Sequence, residues 1–412
     1  MKKRWVLIII LSLILVIAIL GGFTLLWRFL VFLVVLLALG YLWSKYSTRK
    51  LDCNAGETPG ISQVGKHFEE KFTITNHSWL PSPLIEARED TDLPGYGNEL
   101  TLSLSPRDSF TWQTRIHCRR RGPYRLGAIK VKTSDPLGLW PVEEFLNRGQ
   151  QIVIYPATLE LPYFELSPEQ ISGMGSRRWL ASEVGPNASR VREYISGDSL
   201  RHIHWHTTAH TGNLMVKEFD PDHAKYTQQD IWIVLDMYRG SQLGEGDETT
   251  GEYGVTIASS LAKKYLDTGK KVGLITTGDH AHLLSPQAGE EHLQSILHSL
   301  ALLKATGEVS INELLDSKAE YFTPESIVIV IMPSVNPAIA RSLRHVIDRQ
   351  GKVIIILLDS FSFGGIRTSE NSARHLSSSG FHVYVVRQGM EISRALDSRL
   401  YSSRFQYTMD RT

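Results

Sequence analysis

Cysteine is nearly absent: Cys53 and Cys118 are the two in a chain of 412 residues. That is too few for a disulfide framework, and neither has the companion ligands that a zinc site spaces along the chain. Both read as ordinary thiols, with one bridge between them as the minor alternative. A dominant charge is missing as well. Forty-four basic side chains oppose 43 acidic ones, for a net charge of +1. This balance argues against a polyanion-binding surface, so nucleic acid is not an expected partner. The chain has no Gly-x-x-x-x-Gly-Lys loop, no Gly-x-Ser-x-Gly elbow and no His-Glu-x-x-His helix. Three common routes to nucleotide, acyl-transfer and metalloprotease chemistry are thereby closed. Internal repeats and long low-complexity tracts are absent too.

What is present starts with apolar residues. Trp5 to Leu20 is an apolar run, Gly21 and Gly22 follow, and Phe23 to Trp43 is apolar apart from Arg28 and a few small residues. A bilayer core needs roughly 20 apolar residues per helix. Two successive runs with no small-residue cleavage site between them read as a transmembrane hairpin rather than a signal peptide. Lys2, Lys3 and Arg4 precede the first run, and Lys45, Arg49 and Lys50 follow the second. The positive-inside rule then puts both termini of a multi-pass cell-membrane protein in the cytoplasm.

Residues 51–165 read as short strands between turn signals. Phe68, Phe72 and Ile74 alternate with polar residues, and further runs lie at Leu84–Ile85, Glu99–Leu104, Phe110–Cys118, Val131 and Ile152–Tyr155. The spacing predicts an immunoglobulin-like β-sandwich. Within 115–140, Arg119, Arg120 and Arg121 lead into Gly122-Pro123 and Tyr124, which reads as a hairpin turn. Its arginines either hold phosphate or acidic groups or discourage edge pairing. Asp135-Pro136-Leu137-Gly138 reads as a tight turn that docks Leu139 and Trp140 into an apolar seam.

From residue 229 the pattern alternates strand and helix. Ile231–Leu235, Lys271–Thr276, Ile327–Met332, Val353–Leu358 and Phe381–Val386 are apolar strands. Tyr253–Leu266, His292–Leu303 and Ala338–Arg349 have helical spacing. This order predicts an α/β domain with a doubly wound, mostly parallel sheet and helices on both faces. Ligands in such sheets sit beyond the carboxyl ends of the strands, which here carry Asp236, Thr276-Thr277, Pro333-Ser334 and Asp359.

Between the β-rich and α/β parts lies the most polar stretch, residues 185–219. Arg190–Tyr194 reads as a strand, Ser196-Gly197-Asp198 as its turn, and Arg201–Thr207 as a second strand with His202, His204 and His206 on one face. Three interpretations compete. The histidines, with Asp198 or Asp220, bind a metal. Alternatively, Arg192, Arg201 and Lys217 hold a phosphate. In the third, the charges pair internally and set the geometry of the segment against its neighbours.

The same stretch resembles the signature of the domain-of-unknown-function 58 (DUF 58) family. The matching residues are Arg192, Tyr194, Gly197, Asp198, Arg201, Ile203, Trp205, Ala209, Gly212, Leu214, Val216, Lys217 and Glu218, and the upstream RRGPYRLG and DPLGLW segments also resemble that family. His206 and His210 depart from it, standing where a basic residue and an arginine are usual, which counts against a triple-histidine metal site as a family property. The C-terminal part resembles a von Willebrand factor A domain, whose Asp-x-Ser-x-Ser motif holds a divalent cation. Here that motif reads Asp236, Tyr238 and Gly240, with both serines replaced. Asp236 is then a cap or turn residue, and no metal or other cofactor is expected.

The expected organisation is a membrane hairpin (1–50), a β-sandwich (51–165), the signature segment (166–228) and an A-type domain (229–412). The resemblance implies a MoxR-type AAA+ ATPase and a transglutaminase-like membrane protein as partners. The expectation is a non-enzymatic, membrane-anchored cytoplasmic adaptor or scaffold. Its docking face comprises Arg190, Arg192, Tyr194, Gly197, Asp198, Arg201, His204, Trp205, Lys217 and Glu218. The alternative is a metal- or phosphate-dependent hydrolase using Asp198, His202, His204 and His206.

Overall fold

The computed structural model describes residues 2–21, 24–56, 59–136, 138–165, 190–195, 198, 203–218, 230–278, 281–323, 326–336, 338–348, 352–366 and 368–400. They form two compact units, Met1–Tyr155 and Pro156–Thr412.

The first unit opens with helices α1 (Lys2–Gly21) and α2 (Thr24–Arg49), which pack on each other. α2 is long and apolar enough to cross a membrane, whereas the apolar part of α1, Ile9–Gly21, is shorter. Large apolar side chains such as Leu25, Phe32, Leu39 and Leu42 stand exposed along α2. Its last turns differ: Ser44, Ser47 and Thr48 are buried. Ser44 Oγ donates to the Trp140 carbonyl at 2.6 Å, the Thr48 and Thr133 hydroxyls meet at 2.6 Å, and Ser47 pairs with Ser82. Buried hydroxyls need such partners, because an unpaired one costs about 1–3 kcal/mol. The end of the apolar helix is thus keyed into the β-rich region.

That region contains strands β1 (Leu51–Ala55), β2 (Ile61–Gln63), β3 (His67–Asn76), β4 (Ser82–Glu89), β5 (Glu99–Leu104), β6 (Ser109–His117), β7 (Gly122–Leu126), β8 (Ile129–Thr133), β9 (Val142–Phe145) and β10 (Gln150–Tyr155). They form sheets of order β1-β3-β6, β5-β4-β8-β9 and β2-β10-β7. Phe72 and Ile74 from the first sheet and Ile85, Ala87 and Val131 from the second share one dry core. The expected hairpin around Arg119–Arg121 does not form. β6 pairs with β3, whereas β7 pairs with β10, so the arginines lie on a crossing between two sheets. The physical reason is burial: Ile116 and Cys118 before the crossing and Leu126 after it enter one core with Ile152 and Ile154. Pro123 cannot donate to a ladder, and it sits on an edge strand where one side needs no partner. The Asp135 turn is present. Gly138 N–H donates to the Asp135 carbonyl at 2.9 Å, and Asp135 Oδ1 accepts from the N–H groups of Leu139 and Trp140. Leu137 lies outside the described residues.

In the second unit, β11 (Arg190–Glu193) and β12 (Met215–Glu218) pair antiparallel, with helix α3 (Trp205–Thr211) between them in sequence. β13 (Asp230–Leu235) follows, then a small hairpin of β14 (Gly244–Glu245) and β15 (Glu248–Thr249), and helix α4 (Thr250–Asp267). Next come β16 (Lys271–Thr277), β17 (Ala281–Gln287), α5 (Glu290–Leu302), α6 (Ile311–Ser317), β18 (Ile327–Met332), α7 (Ile339–Asp348), β19 (Lys352–Leu358), α8 (Glu370–Ser378), β20 (His382–Val386) and α9 (Ile392–Ala395). The main sheet has the order β17-β16-β13-β18-β19-β20, and each pair is parallel except β16 with β17. β17 has no counterpart in the sequence reading: it is a half-exposed edge strand without a continuous apolar run.

Both faces of the sheet are covered, which is why its central strands read as unbroken apolar runs. Trp232 and Val234 of β13 share a core with Ile311 and Leu314 of α6, Leu343 of α7 and Leu376 of α8. On the opposite face, α4 lies so close that a Cβ on Gly254 would come within 2.9 Å of the Leu235 side chain. Chain order reverses between β13 and β18, so the crevice at their carboxyl ends is the expected ligand position of an open α/β sheet.

Candidate functional site

Among the described residues, two places with candidate chemistry are the 190–218 segment and the strand ends around Asp236. In the first, the Arg192 guanidinium grips the Asp198 carboxylate at two points, 2.7 and 2.8 Å. Asp198 Oδ2 also accepts the Ile195 N–H at 2.9 Å, and the Asp198 N–H returns to the Ile195 carbonyl. The carboxylate therefore both closes the turn and pins the strand before it. Arg192, and then the Ile195 N–H, hold the Asp198 carboxyl below the usual carboxylate range. The planar, bidentate geometry suits an arginine and not a lysine.

The second half of the segment differs from the expectation of a strand over 201–207. From Trp205 onward the chain is helical. His204 is the N-cap: its Nδ1 lies 2.6 Å from Thr207 Oγ1 and accepts the Thr207 N–H at 3.3 Å. Gly212 closes the other end with φ 73°, and its N–H donates to the Thr208 carbonyl. Residues two apart diverge on a helix, so His204 and His206 are not aligned as strand neighbours. Their ring centroids are 6.2 Å apart, while His206 and His210, one turn apart, approach to 5.2 Å. The sequence held a signal for this helix. Thr211-Gly212-Asn213 is a helix stop as readily as a hairpin turn. Among the described residues, no three His, Cys, Asp or Glu side chains are grouped to hold a metal ion.

The helix is sewn to the strands by the Met215 N–H, which donates to Thr208 Oγ1 at 3.0 Å, and by an isolated bridge between Ile203 and Val216. Asn213 Nδ2 reaches Glu193 Oε1, and the Tyr194 N–H reaches the Leu214 carbonyl. Tyr194 and Lys217 are half-buried. Arg190 and Glu218 face each other in the β11–β12 register. Gly197, Arg201, His202 and Asp220 lie outside the described residues. Ile203 and Val216 of this segment are buried, whereas Ile195 is 64% exposed and Trp205 67%, and Val191 and Leu214 are exposed too.

At the sheet's carboxyl ends, Asp236 is 3% exposed, and both its carboxylate oxygens are engaged. Oδ1 accepts the Tyr238 N–H at 2.9 Å, and Oδ2 accepts the Ser241 hydroxyl at 3.0 Å. The Asp236 carbonyl accepts from Gln242 Nε2, whose Oε1 takes the Thr250 hydroxyl at 2.8 Å. Ser241, Gln242 and Thr250 were not singled out by the sequence reading. Burial pushes the Asp236 carboxyl up to about 6 against these two hydrogen bonds. Asp359 is likewise turned inward, accepting the Ser369 N–H at 2.8 Å with Arg387 Nε at 3.5 Å. The hydroxyls of Thr276 and Thr277 are buried without a hydrogen-bond partner. Tyr238 bridges to Gly307, and a Cβ on Gly240 would strike the Tyr238 ring at 2.6 Å. A hard cation needs several converging oxygens. Here the Asp236 carboxylate serves its own turn, and Tyr238 and Gly240 bring no second carboxylate beside it, so these residues do not fit such an ion.

Residues 190–361 match the family described as Protein of unknown function DUF58. The match covers the described 190–218 segment and the strands β13 to β19 of the main sheet. The "Uncharacterized protein YeaD" of Bacillus subtilis (strain 168) is 25% identical over 299 residues, covering 68% of this chain and 69% of that protein. Among solved structures, the CARDB domain of the PF1109 protein from Pyrococcus furiosus, in complex with di-metal ions, is 17% identical with a TM-score of 0.20, covering 25% of this chain and 86% of that one. A β-glucosidase from Listeria innocua is 11% identical with a TM-score of 0.18, covering 25% of this chain and 16% of that one. Overlaps this shallow carry no argument about fold or ligand.

Proposed function

We propose that the protein is a DUF 58 family adaptor or scaffold, anchored in the cell membrane by a two-helix hairpin with both termini in the cytoplasm. In this reading the β-rich unit is an immunoglobulin-like sandwich, and the main sheet belongs to a von Willebrand factor A-like domain. The sheet order, with its single antiparallel edge strand, supports the latter. The protein performs no bond-making chemistry and takes no cofactor. Its partner, by family resemblance, is a MoxR-type AAA+ ATPase, alongside a transglutaminase-like membrane protein, in envelope or complex assembly.

One observation carries this reading. The central carboxylate of each candidate site, Asp198 or Asp236, is engaged in internal hydrogen bonds, while Ile195 and Trp205 stand exposed in the signature segment. Catalysis needs polar groups free to act on a substrate, whereas docking needs exposed aromatic and apolar anchors on a fixed frame. The test is affinity capture from native membranes in gentle detergent, comparing wild type with Trp205→Ala and Arg192→Glu. Both variants should lose an AAA+ ATPase that wild type retains, with melting unchanged. Equal recovery from folded variants removes the docking face from this segment. The hydrolase alternative makes the opposite claim: stoichiometric zinc or manganese in purified protein, lost with His204→Ala, would establish it.

A further inference from the structure

The loop between β3 and β4 presents a tryptophan outward on an unusually well-braced frame. Asn76 Oδ1 accepts both the Ser78 N–H and its hydroxyl, at 2.9 and 2.7 Å. Asn76 Nδ2 donates to the carbonyls of Leu80 and Ser105, and Ser78 Oγ donates to Leu80 as well. Asn76 and Ser78 are fully buried, yet Trp79 between them and Leu80 is 69% exposed. The indole N–H reaches the Tyr46 hydroxyl on α2 at 3.1 Å, and the two rings meet edge to face at 6.4 Å.

Behind this bridge runs a groove of about 760 Å³, lined on the α2 side by Leu36, Leu39, Trp43 and Tyr46 and on the loop side by Trp79 and Leu80. The spacing of three, four and three residues keeps the four α2 side chains on one helical stripe. Asp135, at the margin, directs Oδ1 to the N–H groups of Leu139 and Trp140. The volume lies in the range of about 300–1,000 Å³ usual for small-molecule sites. The groove is continuous with the exposed apolar surface of α2, so whatever covers Leu36 and Leu39 also reaches Trp79. Tryptophan and tyrosine favour the boundary between headgroups and hydrocarbon. Lys45 adjoins Tyr46, the last residue of the stripe, and Arg49 and Lys50 follow it, at the level where lipid phosphates would lie.

We propose that this groove is a lipid site: one acyl chain of a bilayer phospholipid lies along Leu36, Leu39 and Trp43, and Trp79 and Tyr46 close over it at the membrane boundary. The site rests on the membrane anchoring proposed above. It makes the β-rich unit a foot seated on the bilayer instead of a body on a flexible tether, and the seat is fixed by the buried hydroxyls of Ser44, Ser47 and Thr48.

The test purifies the full chain from cell membranes in mild detergent and counts retained phospholipid by native mass spectrometry. Wild type should keep about one phospholipid per chain. Leu39→Trp fills the groove and Trp79→Ala opens its cover, and each should lower occupancy at least fivefold with melting unchanged. Equal retention by wild type and both folded variants overturns the site. Alkaline carbonate extraction of the same membranes separates the two ideas. A chain that stays in the pellet but retains no lipid is anchored without the groove being a site, whereas a chain released to the supernatant is not anchored at all.

Discussion

The main sheet and the 190–218 segment make opposite use of their residues. In the sheet, Ile231–Leu235, Ile327–Met332 and Ile354–Leu358 are buried along their whole length, and side chains of both parities have a covered face to enter. In the segment, Val191, Ile195, Trp205 and Leu214 are exposed, and polar pairs hold the backbone: Arg192 with Asp198, His204 with Thr207, Met215 with Thr208. The first region is specified by burial, which is insensitive to detail. The second is specified by directional bonds, each of them replaceable by water. Stability should therefore concentrate in one region and recognition in the other.

The strongest way to test that division is to cut into the sheet. Trp232→Ala removes a side chain that is 2% exposed and meets Phe322 edge to face at 6.0 Å. It should cost about 3–5 kcal/mol in denaturant melts of the full chain. Trp205→Ala should stay within about 0.5 kcal/mol of wild type. Similar costs for the two tryptophans would erase the contrast.

Asp236 tests whether the strand ends belong with the sheet. Burial lifts its folded pKa to about 6, above the 3.8 of a free aspartate. A raised carboxyl favours the protonated fold, so its contribution is complete below about pH 4 and is lost as pH rises through 6. Asp236→Asn keeps the protonated shape. It should match wild type near pH 4 and gain roughly 2–3 kcal/mol over it by pH 8, as two pKa units imply. Parallel pH profiles for the two proteins would mean that the carboxylate is solvated or paired.

Smaller effects are expected in the signature segment. Gly212→Ala places a side chain at φ 73° and should cost about 1 kcal/mol, loosening α3. Hydrogen exchange at Thr208–Thr211 would register the loosening. Asp198→Asn leaves one oxygen for the Ile195 N–H but ends the two-point ion pair. With Arg192 and Asp198 both partly exposed, solvent screening keeps the loss small. A loss of several kcal/mol would show instead that the segment is part of the core.

These contrasts explain which elements could be read directly. β13, β18 and β19 are runs of Ile, Val and Leu between turns, and hydropathy alone finds them. β17 was missed because an edge strand needs no continuous run. The 201–207 stretch satisfies a period of two, with Ile203 and Trp205 between histidines, yet from His204 onward it is a cap and a helix. The deciding bonds run between His204 and Thr207 and from Gly212 to Thr208, and periodicity does not weigh them. Arg192 and Asp198 were recognisable as candidates, but that each is the other's partner is a fact of geometry. Ser241, Gln242 and Thr250 look like ordinary loop polar residues until Asp236 is placed among them.

By itself the sequence determined an apolar helix at the start, a β-rich stretch and an alternating α/β region, because hydrophobic pattern acts locally and survives any rearrangement of loops. Tertiary structure alone decided the rest. β7 left its sequence neighbour β6 for β10, since Leu126 had to enter the core of Ile152 and Ile154. Ser44, Ser47 and Thr48 became a seat instead of the polar end of a helix, because Trp140, Ser82 and Thr133 arrived beside them from far along the chain. Partners so distant in sequence leave no periodic trace, and the free energy of their bonds exists only once the fold has brought them together.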